Sequence, residues 1–459
     1  MADPYVDSDA PVLLWFRTDL RLRDHPGVAQ ALASGRPIIP LFIWDKALYS
    51  REPGAASRWW LHRSLKALNE DLQRHGSRLI VQAGESQKIL QQIFKNNSVK
   101  TVICSHTFDP RTETFDACLD LGDHVDFKCR NSTLVVPPGV VATKGGTPFR
   151  VFTPFYRAAV DAGLFHPHDP GGLPRGSWRA PDAWPDSLAI DDLGLDNTRT
   201  NSGKDWAAGF DRFTPGEAGA RQALDDFIET HLTGYALDRD RPDLDATSHL
   251  SPHLRFGEIA PLRILFELDK AMRNRRTLAA PAEKFRAELA WREFSYGLLD
   301  QVPDLHRTNV RREFDAFPWL DDDKGFRAWC RGETGYDLVD AGMQELWRTG
   351  YMHNRVRMVC ASFLTKHLLI DWRRGEQWFW DCLLDADPAN NPASWQWVAG
   401  CGADAAPYFR IFNPMTQAEK FDAAGRYRAR WLDVHNRPKP VIDHSHARNR
   451  ALEAYATVR

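Results

Sequence analysis

The sequence predicts an α/β domain followed by an all-α domain, and three features of its patterning carry that prediction. Residues 10–135 alternate short apolar runs with amphipathic stretches. From Pro137 to about Gly216 this alternation gives way to Pro/Gly/Asp-rich sequence, as in VVPPG, KGGTP and HPHDPGGLPRG. After Gly216 a helical period takes over and persists nearly to the end. The expected limits are 10–135 for the α/β domain, 136–215 for the connection and 216–450 for the helical domain.

VLLWF (12–16) reads as a strand buried on both faces, because it is apolar without alternation. PIIPLFIW (37–44), SRLIVQ (77–82) and VKTVICS (99–105) repeat the pattern. Helical stretches separate them at Pro26–Ser34, Ala56–His75 and Ser86–Phe94. In the longest, Trp60, Leu61, Leu65, Leu68 and Leu72 share one face. Strands alternating with helices imply a parallel sheet covered on both sides. Segments such as RQALDDFIETHL, AEKFRAELAWREFSYGLL and GEQWFWDCLL are amphipathic at helical spacing and build the second domain.

Composition narrows the function classes. The chain has 459 residues, 43% hydrophobic and 26% charged, and no run approaches the roughly 20 apolar residues of a membrane span. The start, MADPYVDSDAP, lacks a basic, apolar leader, so a cytoplasmic protein without membrane attachment is expected. Seven scattered cysteines without a CxxC pair indicate neither a disulfide framework nor a metal site. A net charge of −2 means that any nucleic-acid surface must be a local basic patch. The first strand is not followed by GxGxxG, and no GxxxxGK[ST] occurs.

Two stretches of the helical domain do not look like packing alone. GYMHNRVRM (350–358) crowds His353, Asn354, Arg355 and Arg357 among apolar neighbours. LLDADPANNPASWQW (383–397) sets two acids, two asparagines and two tryptophans on what reads as a non-helical turn. Arg357 and Asp385 would pair if the segments meet, because buried charges must be paired; a purely structural salt bridge fits that pattern as well.

WREF (291–294), GYMHNRVRM, LTKHLLIDWRRGE (364–376), WQWVAGCGADAAPYFRIFNP (395–414) and EKFD (419–422) resemble, in order, motifs of the photolyase/cryptochrome family. LLWFRTDLRLRDH (13–25) is similar to the family's opening strand and loop. The resemblance implies a parallel five-stranded, Rossmann-like sheet, an all-α FAD-binding domain and light-driven repair of cyclobutane pyrimidine dimers in DNA by FADH⁻. It also implies a monomer that takes damaged DNA as its partner. WFWDCLLDAD (378–387) is most similar to the bacterial (class III) branch related to plant cryptochromes.

The same resemblance assigns residues. Tyr235 and the turn Thr247, Ser248, His249, Leu250 and Ser251 match the pyrophosphate contacts of FAD, where hydroxyls and free amides at a helix start suit an anion. Most members carry arginine where this chain has His249. Asp385, Ala386 and Asp387 match positions beside the isoalloxazine and ribose, with Arg357 as partner of Asp385. Asn391 matches the residue facing flavin N5. A neutral amide bonds N5 but does not readily protonate it, whereas plant-type cryptochromes carry an acid there. Asparagine therefore favours the repair enzyme over the alternative, a cryptochrome-type blue-light photoreceptor without repair activity.

Glu288 and Trp291 match the carboxylate and stacking tryptophan that receive the flipped dimer, with Asn354 and Met358 on the opposite wall. Trp395, Trp372 and Trp319 match the tryptophans that carry electrons from the surface to the flavin. Arg239, Arg292 and Arg355 are candidates for phosphate contacts. An antenna chromophore is expected in the first domain: 5,10-methenyltetrahydrofolate, or alternatively a deazaflavin. The family's folate-binding Asn-Glu pair is replaced here by Asp109-Pro110.

Overall fold

The structure, a computed structural model, describes residues 9–122, 125–197, 205–405, 409–433 and 437–458. The first eight residues, and residues 406–408 of the WQW…NP motif, lie outside the described residues.

The first domain is a five-stranded parallel sheet in the order β3-β2-β1-β4-β5. The strands are β1 Val12–Phe16, β2 Ile38–Trp44, β3 Ile80–Ala83, β4 Thr101–Ser105 and β5 Asp126–Arg130. β1 explains why its sequence is apolar throughout. Val12, Leu14 and Phe16 pack into one core with α1 (Pro26–Ala33) and α2 (Ala55–Arg74), while Leu13 and Trp15 pack into another with α3 (Ser86–Asn97). β5 escapes a reading by apolar runs because DFKCR is a half-buried edge strand, where charge discourages edge-to-edge pairing. The helix α4 (Pro110–Cys118) follows β4; Asp109 caps it, and Pro110 stands in its first turn.

The connecting segment is built, not slack. It contains α5 (Phe152–Asp161) and two 3₁₀ turns, Ile190–Leu193 and Trp206–Arg212. Leu188 N donates to Val81 O of β3 at 2.9 Å. At the segment's start, Val135 N and Val136 N donate to Glu293 Oε2 at 2.7 and 2.9 Å, so the connection is fastened to both domains.

The helical domain surrounds two apolar cores. One holds Phe152 and Phe155 of α5 against Leu289, Phe294 and Leu298 of the Ala279–Gln301 helix. The other gathers the helices 337–349, 354–362, 372–382 and 390–399. The last carries both asparagines and both tryptophans of LLDADPANNPASWQW, where a non-helical turn was expected, because Asp387 Oδ1 takes up the free amides of Ala389 and Asn390 at its start. Among the described residues no helix is long and apolar enough to cross a membrane.

Candidate active site

The two cores leave a cavity of about 360 Å³ between them. Helix 279–301 presents Glu288 and Trp291 to it, one turn apart. Helix 354–362 presents Asn354, Arg357 and Met358; its N-cap is His353, whose Nδ1 accepts from Arg355 N at 3.2 Å. Asp385, Asn391 and Trp395 close the opposite side, and Phe379, Leu383 and Val398 supply apolar wall. Every residue that sequence reasoning placed at the dimer pocket therefore faces one space.

Arg357 and Asp385 form a two-pronged pair, Nη1–Oδ1 at 3.1 Å and Nη2–Oδ2 at 2.9 Å. Ser251 Oγ donates to the same Asp385 Oδ2 at 2.6 Å, which ties the 247–251 turn to the cavity's acid. His249 sits at φ +52°, a left-handed conformation that side chains other than glycine adopt uncommonly. It pairs with Asp245 Oδ1 at 2.5 Å, and that hydrogen bond helps hold the Asp245 carboxyl down at about 2. Arg212, which sequence reasoning did not single out, brings a guanidinium within 3.5 Å of His249 Nε2. Tyr235 is buried edge-on to Phe227 and Phe285, and Leu250 is wholly in the core.

Three polar nitrogens around this region have no hydrogen-bond partner among the described residues: His249 Nδ1, His353 Nε2 and Arg355 Nε. Buried polar groups are normally satisfied, so these fit a polar ligand between the turn and helix 354–362. Burial pushes His353 down to about 4.

Two expectations change. Arg292, expected to be free for a phosphate, turns inward instead. Its side chain is 11% exposed, and Nη1 donates to Thr133 O at 2.9 Å and Glu293 Oε1 at 2.8 Å, cross-linking helix 279–301 to the end of the first domain. Asp387 turns its carboxylate into the protein. Oδ2 accepts from Tyr296 Oη at 2.9 Å, and Oδ1 accepts from Ala389 N, Asn390 N and Asn390 Nδ2 at 2.7–2.9 Å. It thus starts the 390–399 helix. The adjacent Ala386 is buried, with its carbonyl bonded to Arg255 Nε at 2.8 Å. Arg239 is paired with Glu288, and Arg355 with Asp240 at 2.9 Å, both at the cavity wall.

Asn391 is anchored by residues that carried no role in the sequence. Its Nδ2 donates to Glu376 Oε1 at 2.7 Å and to Glu376 O at 3.2 Å. Arg51, from the first domain, donates to both Glu376 oxygens at 2.7 and 2.6 Å. Burial pushes the Glu376 carboxyl up, and the Arg51 charge opposes the shift. Asp109 is likewise committed, accepting from Ser50 Oγ at 2.5 Å and Arg111 N at 2.9 Å.

The three expected tryptophans differ in burial. Trp395 lines the cavity, Trp372 is buried with Nε1 on Asn309 Oδ1 at 2.9 Å, and Trp319 is half-buried. Gly375 lets Trp395 approach the Trp372 helix, since a Cβ there would lie 2.2 Å from Trp395 Cη2. Trp329, outside the expected three, also stands edge-on to Trp395 at 6.1 Å.

Two family models match: "DNA photolyase" over residues 12–172 and "FAD binding domain of DNA photolyase" over 285–437. The chain is 44% identical to a deoxyribodipyrimidine photo-lyase of Agrobacterium fabrum, covering 98% of each. It is 36% identical to the enzyme of the same name from Thermus thermophilus, covering 96% of this chain and 97% of that one. Cryptochrome-1 of Arabidopsis thaliana is 34% identical, and the match spans 94% of this chain and 64% of the cryptochrome. A bacterial class III photolyase structure from Agrobacterium tumefaciens superposes with a TM-score of 0.91 at 43% identity, over 98% of both chains. With similarity of this extent across both domains, the chain belongs to the DNA photolyase family.

Proposed function

We propose that this chain is a deoxyribodipyrimidine photo-lyase that uses light to split cyclobutane pyrimidine dimers in DNA. The observation that carries the reading is the single cavity in which Glu288, Trp291, Asn354 and Met358 face Arg357, Asp385 and Asn391. Bound there, reduced FAD would supply on excitation the electron that opens the cyclobutane ring and would recover it afterwards. Arg357, Asp385 and Asn391 would hold its ring, and Tyr235 with residues 247–251 and Arg212 its phosphates.

Trp291 and Met358 offer apolar faces to a base turned out of the duplex. The Glu288 carboxylate, paired with Arg239, accepts a hydrogen bond from a pyrimidine N–H, while the Asn354 amide can serve a carbonyl. Arg239 and Arg355 stand at the same wall for phosphate contact. The apolar wall of Phe379, Leu383 and Val398 excludes water, which strengthens each of these contacts. Asn391, its amide fixed by Glu376, presents a group without an acidic proton.

Residues 10–135 would carry the antenna, a methenyltetrahydrofolate or a deazaflavin, and residues 216–450 the chemistry, joined through 136–215. The protein would act as a monomer in the cytoplasm. Blue light on the reduced protein mixed with an oligonucleotide bearing one thymine dimer should restore both thymines, and darkness should restore none. Flavin-loaded protein that leaves the dimer intact in light would favour the photoreceptor reading. Acid release of the chromophores, followed by their absorption spectra, identifies the antenna.

A further inference from the structure

The connecting segment reaches the substrate pocket from behind. Phe152, the first residue of α5, lies flat on Trp291, with ring centroids 3.8 Å apart and planes within 6°. Tyr156, one turn on, lies nearly parallel to Phe152 at 5.7 Å and 7°. Phe294 meets both Phe152 and Trp291 edge-on, at 6.1 and 5.8 Å. The column is pinned at two of its rings: Tyr156 Oη donates to Glu283 Oε1 on the helix that carries Trp291, and Phe152 N donates to Asp404 Oδ2 at 3.4 Å.

An indole at a cavity wall can pivot about its two side-chain torsions unless packing holds it. Offset or parallel aromatic pairs gain energy from their geometry as well as from burial, so a ring clamped face-on resists tilting. Phe152 covers one face of Trp291, which directs the remainder of the indole to the cavity that it lines. We infer that Phe152 is a positioning residue of the substrate site: it fixes the plane on which the flipped dimer stacks and makes the connecting segment part of dimer recognition. This rests on the reading of Trp291 as the stacking residue.

Three variants test it: Phe152→Leu, which keeps an apolar side chain but loses the flat face; Phe152→Tyr, which keeps the face; and Trp291→Ala. Dissociation constants are measured for matched oligonucleotides with and without one thymine dimer, together with flavin content and melting temperature. Phe152→Leu should weaken dimer binding roughly 3- to 10-fold, the range an aromatic pair's geometric contribution allows, with undamaged DNA and flavin content unchanged. Phe152→Tyr should stay within about twofold of wild type on the same footing. If Phe152→Leu binds the dimer like wild type while Trp291→Ala does not, Phe152 positions nothing and the inference falls. Equal weakening for both oligonucleotides also overturns it, as the mark of general disruption. If Trp291→Ala itself binds normally, the reading of Trp291 fails and takes the inference with it.

Discussion

Replacing Asn391 by aspartate should convert a neutral hydrogen bond into a charge conflict whose size the structure sets. Asn391 Nδ2 is 2.7 Å from Glu376 Oε1, and aspartate is nearly isosteric, so a carboxylate oxygen would take that place. Two unit charges so close repel by about 6 kcal/mol at an effective dielectric of about 20. Arg51, bonded to both Glu376 oxygens, offsets part of this. A net penalty of about 3–4 kcal/mol corresponds to about 2–3 pH units, so the pair would hold a shared proton up to about pH 6–7. Unfolded aspartate loses that proton near pH 4, about 3.9 in the reference state. The folded value is therefore raised, so the variant keeps its stability below about pH 4 and loses it progressively as pH rises to about 6–7. Denaturant unfolding should place N391D within about 1.5 kcal/mol of wild type at pH 5 and about 3–4 kcal/mol below it at pH 8. Adding Glu376→Gln should close most of the gap, because a glutamine amide that can donate then faces the new aspartate where a like charge stood. A gap independent of pH, or one that Glu376→Gln leaves intact, would refute the assigned geometry.

Glu288→Ala should lower repair while flavin content holds, since Glu288 pairs with Arg239 at the pocket wall; loss of flavin with normal repair per loaded molecule would contradict this. Trp372→Phe should slow light-driven reduction of oxidised flavin yet spare repair by chemically reduced protein. It should also cost about 1–3 kcal/mol for the orphaned Asn309 acceptor. Unchanged photoreduction would point instead to the buried neighbour Trp329. His353→Asn keeps an N-cap side chain but removes a titrating group that burial pushes down to about 4. Because that folded value lies below the unfolded 6.5, wild type should lose up to about 3 kcal/mol as pH falls from about 6.5 to 4, and His353→Asn should not. Parallel stability–pH curves for the two proteins would contradict it.

How much of this was legible in the sequence depended on whether one residue's neighbours lie close in the chain. β1, β2 and β4 were readable because each is buried along its whole length, and the edge β3 because Leu79, Ile80 and Val81 are, whereas the charged edge β5 carries no such mark. α5 was hidden because VFTPF sits in Pro/Gly-rich sequence, and much of its apolar face packs on helix 279–301 from more than 100 positions away. The family motifs located Glu288, Trp291, Asn354, Met358, Arg357, Asp385 and Asn391, and the cavity gathers all of them. What the motifs did not reveal is which way a polar side chain turns. Arg292 and Asp387 are spent on Thr133, Glu293, Tyr296 and helix capping, contacts set by tertiary packing. Arg51, Arg212 and Phe152 were missed for the same reason: each comes from outside the helical domain's motifs to meet a residue within them.

The most direct measurement is ultraviolet absorbance after a single blue flash on the anaerobically reduced protein bound to an oligonucleotide with one thymine dimer. Splitting the cyclobutane restores the two C5=C6 double bonds and hence thymine absorbance. The cavity's arrangement predicts a stepwise rise that requires the flash, the reduced flavin and the dimer together, with a smaller rise for Glu288→Ala at equal flavin content. A flavin-loaded, reduced and dimer-bound protein that shows no rise would contradict the assignment of repair to this cavity.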